Sequence, residues 1–174
     1  MGTEGTETTR PGVGSELPSL EIPITRTLIV AGAIASRDYQ DVHHDAELAR
    51  RKGSPDIFMN ILTTNGLVGR YITDHFGPTA VLRKVAIRLG APNYPGDTMV
   101  LTGRIEELDE RPGPGTGAGA GTMTVTVRVV GANAIGKHVT GTVTLTLPGT
   151  DTGSGSETET GTTVTVSVTD EEAS

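Results

Sequence analysis

Four stretches in the C-terminal half of the chain alternate apolar and polar residues, and all four follow one long run with helical spacing. That order leaves few architectures open. Val81–Leu89, Asp97–Leu108, Thr122–Val130 and His138–Leu147 each read as a strand of period two. In the last, Val139, Val143, Leu145 and Leu147 fall on one side and Thr140, Thr142, Thr144 and Thr146 on the other. Such alternation marks antiparallel strands with one face on a core. Gly131–His138, "GANAIGKH", is expected to be a tight hairpin connection.

Upstream, Asp56–Phe76 places Ile57, Ile61, Val68 and Ile72 in one stripe, with Phe58, Leu62 and Tyr71 beside it. Ser54-Pro55-Asp56 supplies a helix start: Ser as cap, Pro at the first position, Asp near the positive end of the dipole. Gly77-Pro78 supplies the stop. Gly66 and Gly69 inside this helix cost roughly 1 kcal/mol each relative to Ala, which points to close approach of the helix to a sheet. His75 is placed to serve the negative end of the dipole, and His138 carries no reading of its own. Thr27–Ala35, short and apolar, reads as a first, mostly buried strand. The expected order is therefore strand, short helix, long helix and four antiparallel strands. This is an α+β layout in which one helix covers one face of a single sheet. The other face and the edges invite a second chain.

Three segments lack the residues to build a core. Residues 1–20 read as a disordered N-terminal tail, 111–122 as a flexible Gly/Pro/Ala hairpin loop, and 149–174 as an acidic low-complexity tail. The domain is expected to span 21–148. The net charge of −7 divides accordingly: residues 1–20 carry −2 and residues 148–174 carry six acids and no base, so the middle is nearly neutral. No basic patch interleaves with aromatics, which argues against nucleic acid. The absence of cysteine excludes a thiolate nucleophile, a disulfide scaffold and Cys-ligated metal. The polar, acidic start and the short apolar runs point to a cytoplasmic protein.

Chemistry concentrates in Ser36–Asp45, "SRDYQDVHHD", which holds three carboxylates and two of the four histidines. A metal site is disfavoured because neighbours in sequence rarely converge on one ion. Asp41 suits a turn and Asp45 suits the N-cap of "AELARRK". His44 stays open between a surface residue and a site residue.

"SRDYQDVHHDAELA" resembles the hydratase motif of the MaoC-like (R)-specific enoyl-CoA hydratases, proteins of the hot-dog fold. Their pattern is a small residue, Gly, Asp, any residue, Asn, Pro, an aliphatic, His, five residues, then Ala or Ser. Asp38, Val42, His43 and Ala49 fall on the Asp, aliphatic, His and Ala positions. Arg37, Gln40 and Asp41 depart from the Gly, Asn and Pro. Together with "GSPDIFMNILTTNGLVGRYITD", "GPTAVLRKVAIRLGAPNYPGDT" and "GKHVTGTV", the motif is similar to the small subunit of heteromeric actinobacterial hydratases of steroid side-chain degradation. The resemblance covers about residues 22–147.

The resemblance implies a hot-dog domain that adds water to a 2-enoyl-CoA, with Asp38 and His43 as its acid/base pair. It implies no metal or redox cofactor, coenzyme A entering only as part of the substrate. The implied partner is a larger MaoC-like subunit with a DUF35-type domain, in a heterotetramer, with a downstream thiolase-like aldolase as a further associate. Alignment with the family's His-Gly places the backbone donors for the enolate oxygen at Met59 and Asn60. Arg50, Arg51 and Lys52, and Lys84 with Arg88 on one strand face, are candidates for the coenzyme A phosphates. Two other readings remain open: a hot-dog thioesterase, and a catalytically silent hot-dog that scaffolds a partner.

Overall fold

The computed structural model describes residues 12–111 and 121–148. Five antiparallel strands form one sheet in the order β1-β3-β4-β5-β2. They are β1 (Glu16–Pro23), β2 (Val81–Leu89), β3 (Thr98–Arg111), β4 (Thr122–Ala132) and β5 (Lys137–Pro148). Between β1 and β2 lie α1 (Arg26–Ala35), a single 3-10 turn (Asp41–His43), α2 (Ala46–Arg51) and α3 (Ile61–Phe76). The alternating runs become strands as expected, and their buried sides face α3. Met99, Leu101 and Ile105 of β3, Val125, Val127 and Val129 of β4, and Val139, Val143 and Leu145 of β5 are buried. Against them α3 packs Val68, Tyr71 and Ile72. Among the described residues no helix is long and apolar enough to cross a membrane.

The first strand is not where the apolar run suggested. Thr27–Ala35 lies in helix α1, and β1 comes from Glu16–Pro23, partly inside the expected tail. Thr25 caps α1, its hydroxyl accepting from the Leu28 N–H at 3.0 Å, and Ile29 and Ala33, four apart, form the buried side. In β1, Pro18 and Pro23 obscure the pattern. The strand tolerates them because it is a sheet edge, with its register broken between Leu17 and Leu20. The domain thus begins before residue 21. Residues 1–11, 112–120 and 149–174, which include most of the expected tails and loop, lie outside the described residues.

Helix α3 also starts later than Ser54-Pro55-Asp56 suggested. Its cap is Asn60, whose side chain accepts from the Thr63 N–H at 2.9 Å. Residues 56–60 are spent on other backbone bonds: Phe58 N–H to the Val42 carbonyl at 3.0 Å, and Met59 N–H to the Asn93 carbonyl at 3.1 Å. Ser54 instead closes a loop by donating to the Asp56 carbonyl at 2.6 Å. Ile61 and Leu62, expected in the apolar face, are about half exposed. In β2, a bulge between Leu82 and Lys84 changes the alternation, leaving Val81 outside while Leu82 reaches α3. At Gly69 an added Cβ would meet the Leu82 side chain at 3.4 Å, whereas Gly66 faces nothing within 4 Å and has no packing role.

A tight junction lies between α1 and α3. A Cβ on Gly32 would lie 2.1 Å from Thr63 Oγ1, so only glycine lets the helices approach this closely. A second junction joins α3 to β5. His138 is 1% exposed, with Nδ1 donating to the Ala91 carbonyl at 2.6 Å and Nε2 accepting from Thr64 Oγ1 at 2.8 Å. Burial pushes its pKa below the usual imidazole value. His75 is shifted the same way by burial, beside the Phe76 ring, which leaves it less charge for the dipole role expected of it.

Gly32→Ala is expected to cost about 1–3 kcal/mol of stability through overpacking, read by urea denaturation. An unfolded chain protonates these two histidines near pH ~6.5, above the folded values. Their contribution is therefore complete above about pH 6.5 and is lost as pH falls below it. Urea midpoints should drop from pH 7.5 to 5.5, and less steeply in His138→Gln; parallel slopes would refute the assignment to His138.

Candidate active site

The C-terminal end of α1, the loop that follows it and the N-terminal end of α3 meet at one place. Asp38 is held there by its own N–H, which donates to the Ala33 carbonyl at 2.9 Å. Between α1 and Asp38 the chain turns through Arg37, at φ 56° in the left-handed region. This is the position where the hydratase motif has glycine, and the structure explains why: a side chain there costs roughly 1–2 kcal/mol. The 3-10 turn then carries His43 inward, to 6% exposure.

The His43 ring is fixed from behind. Nδ1 lies 2.7 Å from the Phe58 carbonyl oxygen, which can only accept, so Nδ1 carries the proton. In the neutral ring Nε2 is then an acceptor. It lies 3.4 Å from Asp38 Oδ2. The Phe58 ring meets the imidazole edge-on at 5.1 Å, and Tyr94 supports Phe58 at 6.3 Å. Two acceptors facing each other call for a donor between or beside them, and water supplies two. The arrangement can therefore seat a water whose protons point to Nε2 and to the carboxylate.

The other motif positions serve packing. Val42 packs on the core and offers its carbonyl to Phe58; Ala49 is fully buried in the core. Asp45 caps α2 as expected, accepting from the Glu47 and Leu48 N–H groups at 2.9 and 3.0 Å. Asp41 opens the 3-10 turn and pairs with Lys52 at 2.7 Å, which holds its carboxyl below the usual range. His44 is exposed and donates from Nε2 to the Tyr39 carbonyl at 3.1 Å, apart from the pair. Among the described residues no group of three His, Asp or Glu is placed to hold a metal ion.

Of the two expected backbone donors, Met59 is removed, because its N–H is already bonded to Asn93. Asn60 remains at the helix start, where the ladder opens with Thr63 and Thr64 and the N–H groups before them point out of the helix end. Arg50, Arg51 and Lys52 each have a local partner: Arg50 the Pro55 carbonyl at 3.2 Å, Arg51 the Glu47 carboxylate, Lys52 Asp41. Lys84 and Arg88 are exposed on β2, on the opposite side from Val85, Ile87 and Leu89 and so from α3. The side chain of Asn60 is a site feature that sequence reading missed; an Asn just before a helical stripe was the available signal.

The long helix α3 packed across the buried face of a sheet ordered β1-β3-β4-β5-β2 defines the chain as a hot-dog protein. The (R)-hydratase of A. caviae involved in PHA biosynthesis has the same fold, with a TM-score of 0.65 at 18% identity over 80% of this chain and 99% of that one. The ChsH1–ChsH2 complex from Mycobacterium tuberculosis aligns with a TM-score of 0.70 at 43% identity, covering 78% of this chain and 98% of the matched one. The 3-oxo-4,17-pregnadiene-20-carboxyl-CoA hydratase beta subunit of M. tuberculosis is 47% identical over 98 residues, 56% of this chain and 76% of the relative. No protein-family model matches the sequence. Within the hot-dog class, the chain belongs to the MaoC-like hydratase family that includes this beta subunit.

Arg37→Gly should relieve the positive φ and stabilise the protein by about 1 kcal/mol, read as a higher urea midpoint; a lower midpoint would mean that the Arg37 side chain makes a compensating contact.

Proposed function

We propose that the chain is a hydratase subunit that adds water across the 2,3 double bond of a steroid side-chain 2-enoyl-CoA. The observation that carries the reading is the geometry of His43: Nδ1–H held by Phe58, and a free Nε2 lone pair 3.4 Å from the Asp38 carboxylate. Nε2 takes a proton from the water as its oxygen bonds to Cβ. The Asp38–His43 pair returns a proton to Cα, and the intermediate enolate oxygen is met by N–H groups at the start of α3, that of Asn60 first. Thus one O–H bond and the C=C π bond break, one C–O and one C–H bond form, and no electrons are exchanged with a cofactor. The substrate class follows the relative's name, a pregnadiene-carboxyl-CoA hydratase subunit. It agrees with the apolar rim: Ile34 and Tyr39 flank the Asp38 turn, Ile61 and Leu62 open α3, and all four are about half exposed or more.

The same rim supports a second chain over the site. The solved relative is a complex of two proteins, and we extend that organisation to this chain: a larger MaoC-like subunit with a DUF35-type domain, in a heterotetramer delivering its product to a thiolase-like aldolase. Hydration of the double bond yields a 3-hydroxyacyl-CoA, which a retro-aldol step can cleave.

Co-expressed with such a subunit and given a steroid 2-enoyl-CoA, the protein should bleach the enoyl chromophore without releasing thiol. Thiol release would mean a thioesterase, and neither signal a scaffold. Asp38→Asn and His43→Gln should each reduce kcat by about 10²–10⁴-fold with the thermal midpoint little changed. Near-normal turnover in either variant would overturn the mechanism.

A further inference from the structure

We propose that the Asn60 side chain is a positioning residue for the Asp38 carboxylate; this rests on the function proposed for Asp38 and His43. Asn60 is 2% exposed, and its amide has one orientation only. Oδ1 must face the Thr63 N–H, 2.9 Å away, because a backbone N–H needs an acceptor. Nδ2 therefore turns to the other side, where its two protons go to Ser36 Oγ at 2.8 Å and Asp38 Oδ2 at 3.1 Å. Ser36 is anchored in turn, donating to the Gly32 carbonyl at 2.7 Å. One side chain thus ties the start of α3, the end of α1 and the site carboxylate together.

The oxygen that Asn60 holds is the same Oδ2 that faces His43 Nε2. By occupying one of its lone pairs, the amide sets how the carboxylate is turned toward the imidazole. Among the described residues the other oxygen, Oδ1, is met only by the distant Gln40 N–H at 3.4 Å, which leaves it a lone pair for water. A carboxylate oxygen turned in this way can orient water as an acceptor. The cap role alone does not require asparagine, since serine and aspartate cap as well. What asparagine adds is a donor and an acceptor on one planar group, 24 residues from Ser36 and 22 from Asp38 in sequence.

Two substitutions separate positioning from capping. Asn60→Ser keeps a cap acceptor and removes the amide donor. Asn60→Asp keeps the cap and the shape but sets a second carboxylate against Asp38, where two adjacent carboxylates resist joint ionisation. With thermal midpoints close to that of the parent, Asn60→Ser should reduce kcat about 10- to 100-fold with little change in KM. Asn60→Asp should move the acid limb of the kcat/KM profile upward by about one pH unit or more. A purely capping residue would leave both unchanged, and that result would overturn the proposal. The His43 imidazole titration, followed by NMR without substrate, should also move upward in Asn60→Asp. A midpoint that stays put refutes the contact even in a protein that hydrates no enoyl-CoA, so the two readings can fail separately.

Discussion

Everything in the site depends on how closely α1 can lie against α3. A sheet with one apolar face needs cover, and α3 supplies most of it with sixteen residues. The helix that arrives first, α1, must run beside α3 with a side chain from one helix only at the contact, and Gly32 against the Thr63 side chain makes it. Once α1 is seated, its last turn ends beside the first turn of α3. The chain leaving α1 must then reverse at once, which it does through Arg37 with a positive φ. Asp38 follows that reversal directly, so its carboxylate meets the start of α3 because of where two helices touch.

The architecture was legible in the strand alternation, since β2 to β5 read as period two and do bury one face. The number of strands came out right while the first was misplaced. Leu28 to Ala35 is apolar enough to pass for a buried strand, but Thr25 can cap it and the buried pair Ile29 and Ala33 repeats at helical spacing. Glu16–Pro23 hid behind two prolines, which an edge strand with a broken register accommodates. Ser54-Pro55-Asp56 has every local mark of a helix start. The chain does not use it, because Phe58 and Met59 are drawn into backbone bonds with Val42 and Asn93. Such tertiary bonds leave no trace in local composition.

Asp38 and His43 were legible through the resemblance of their segment to the hydratase motif, and the structure brings them face to face. Less legible was what surrounds them. The Phe58 carbonyl that selects the His43 tautomer belongs to the backbone, so no residue type announces it. The Asn60 amide is a side chain, yet its partners Ser36 and Asp38 lie more than twenty positions away. Nor do residue types announce that Arg50, Arg51 and Lys52 each find a partner in their own neighbourhood, a carbonyl for the first and carboxylates for the other two. His138 gave no signal either, although it pins α3 to β5 through Thr64.

The bond from His43 Nδ1 to Phe58 bears on timing. An imidazole free to rotate would have to find both its tautomer and its orientation after a substrate had bound, and each search would add to the barrier. Here both are settled when the segment before α3 closes against the 3-10 turn. The reorganisation is completed in folding. A water that enters beside Nε2 meets an acceptor already turned toward it, and the energy of its alignment resides in the stability of the domain instead of in the reaction coordinate.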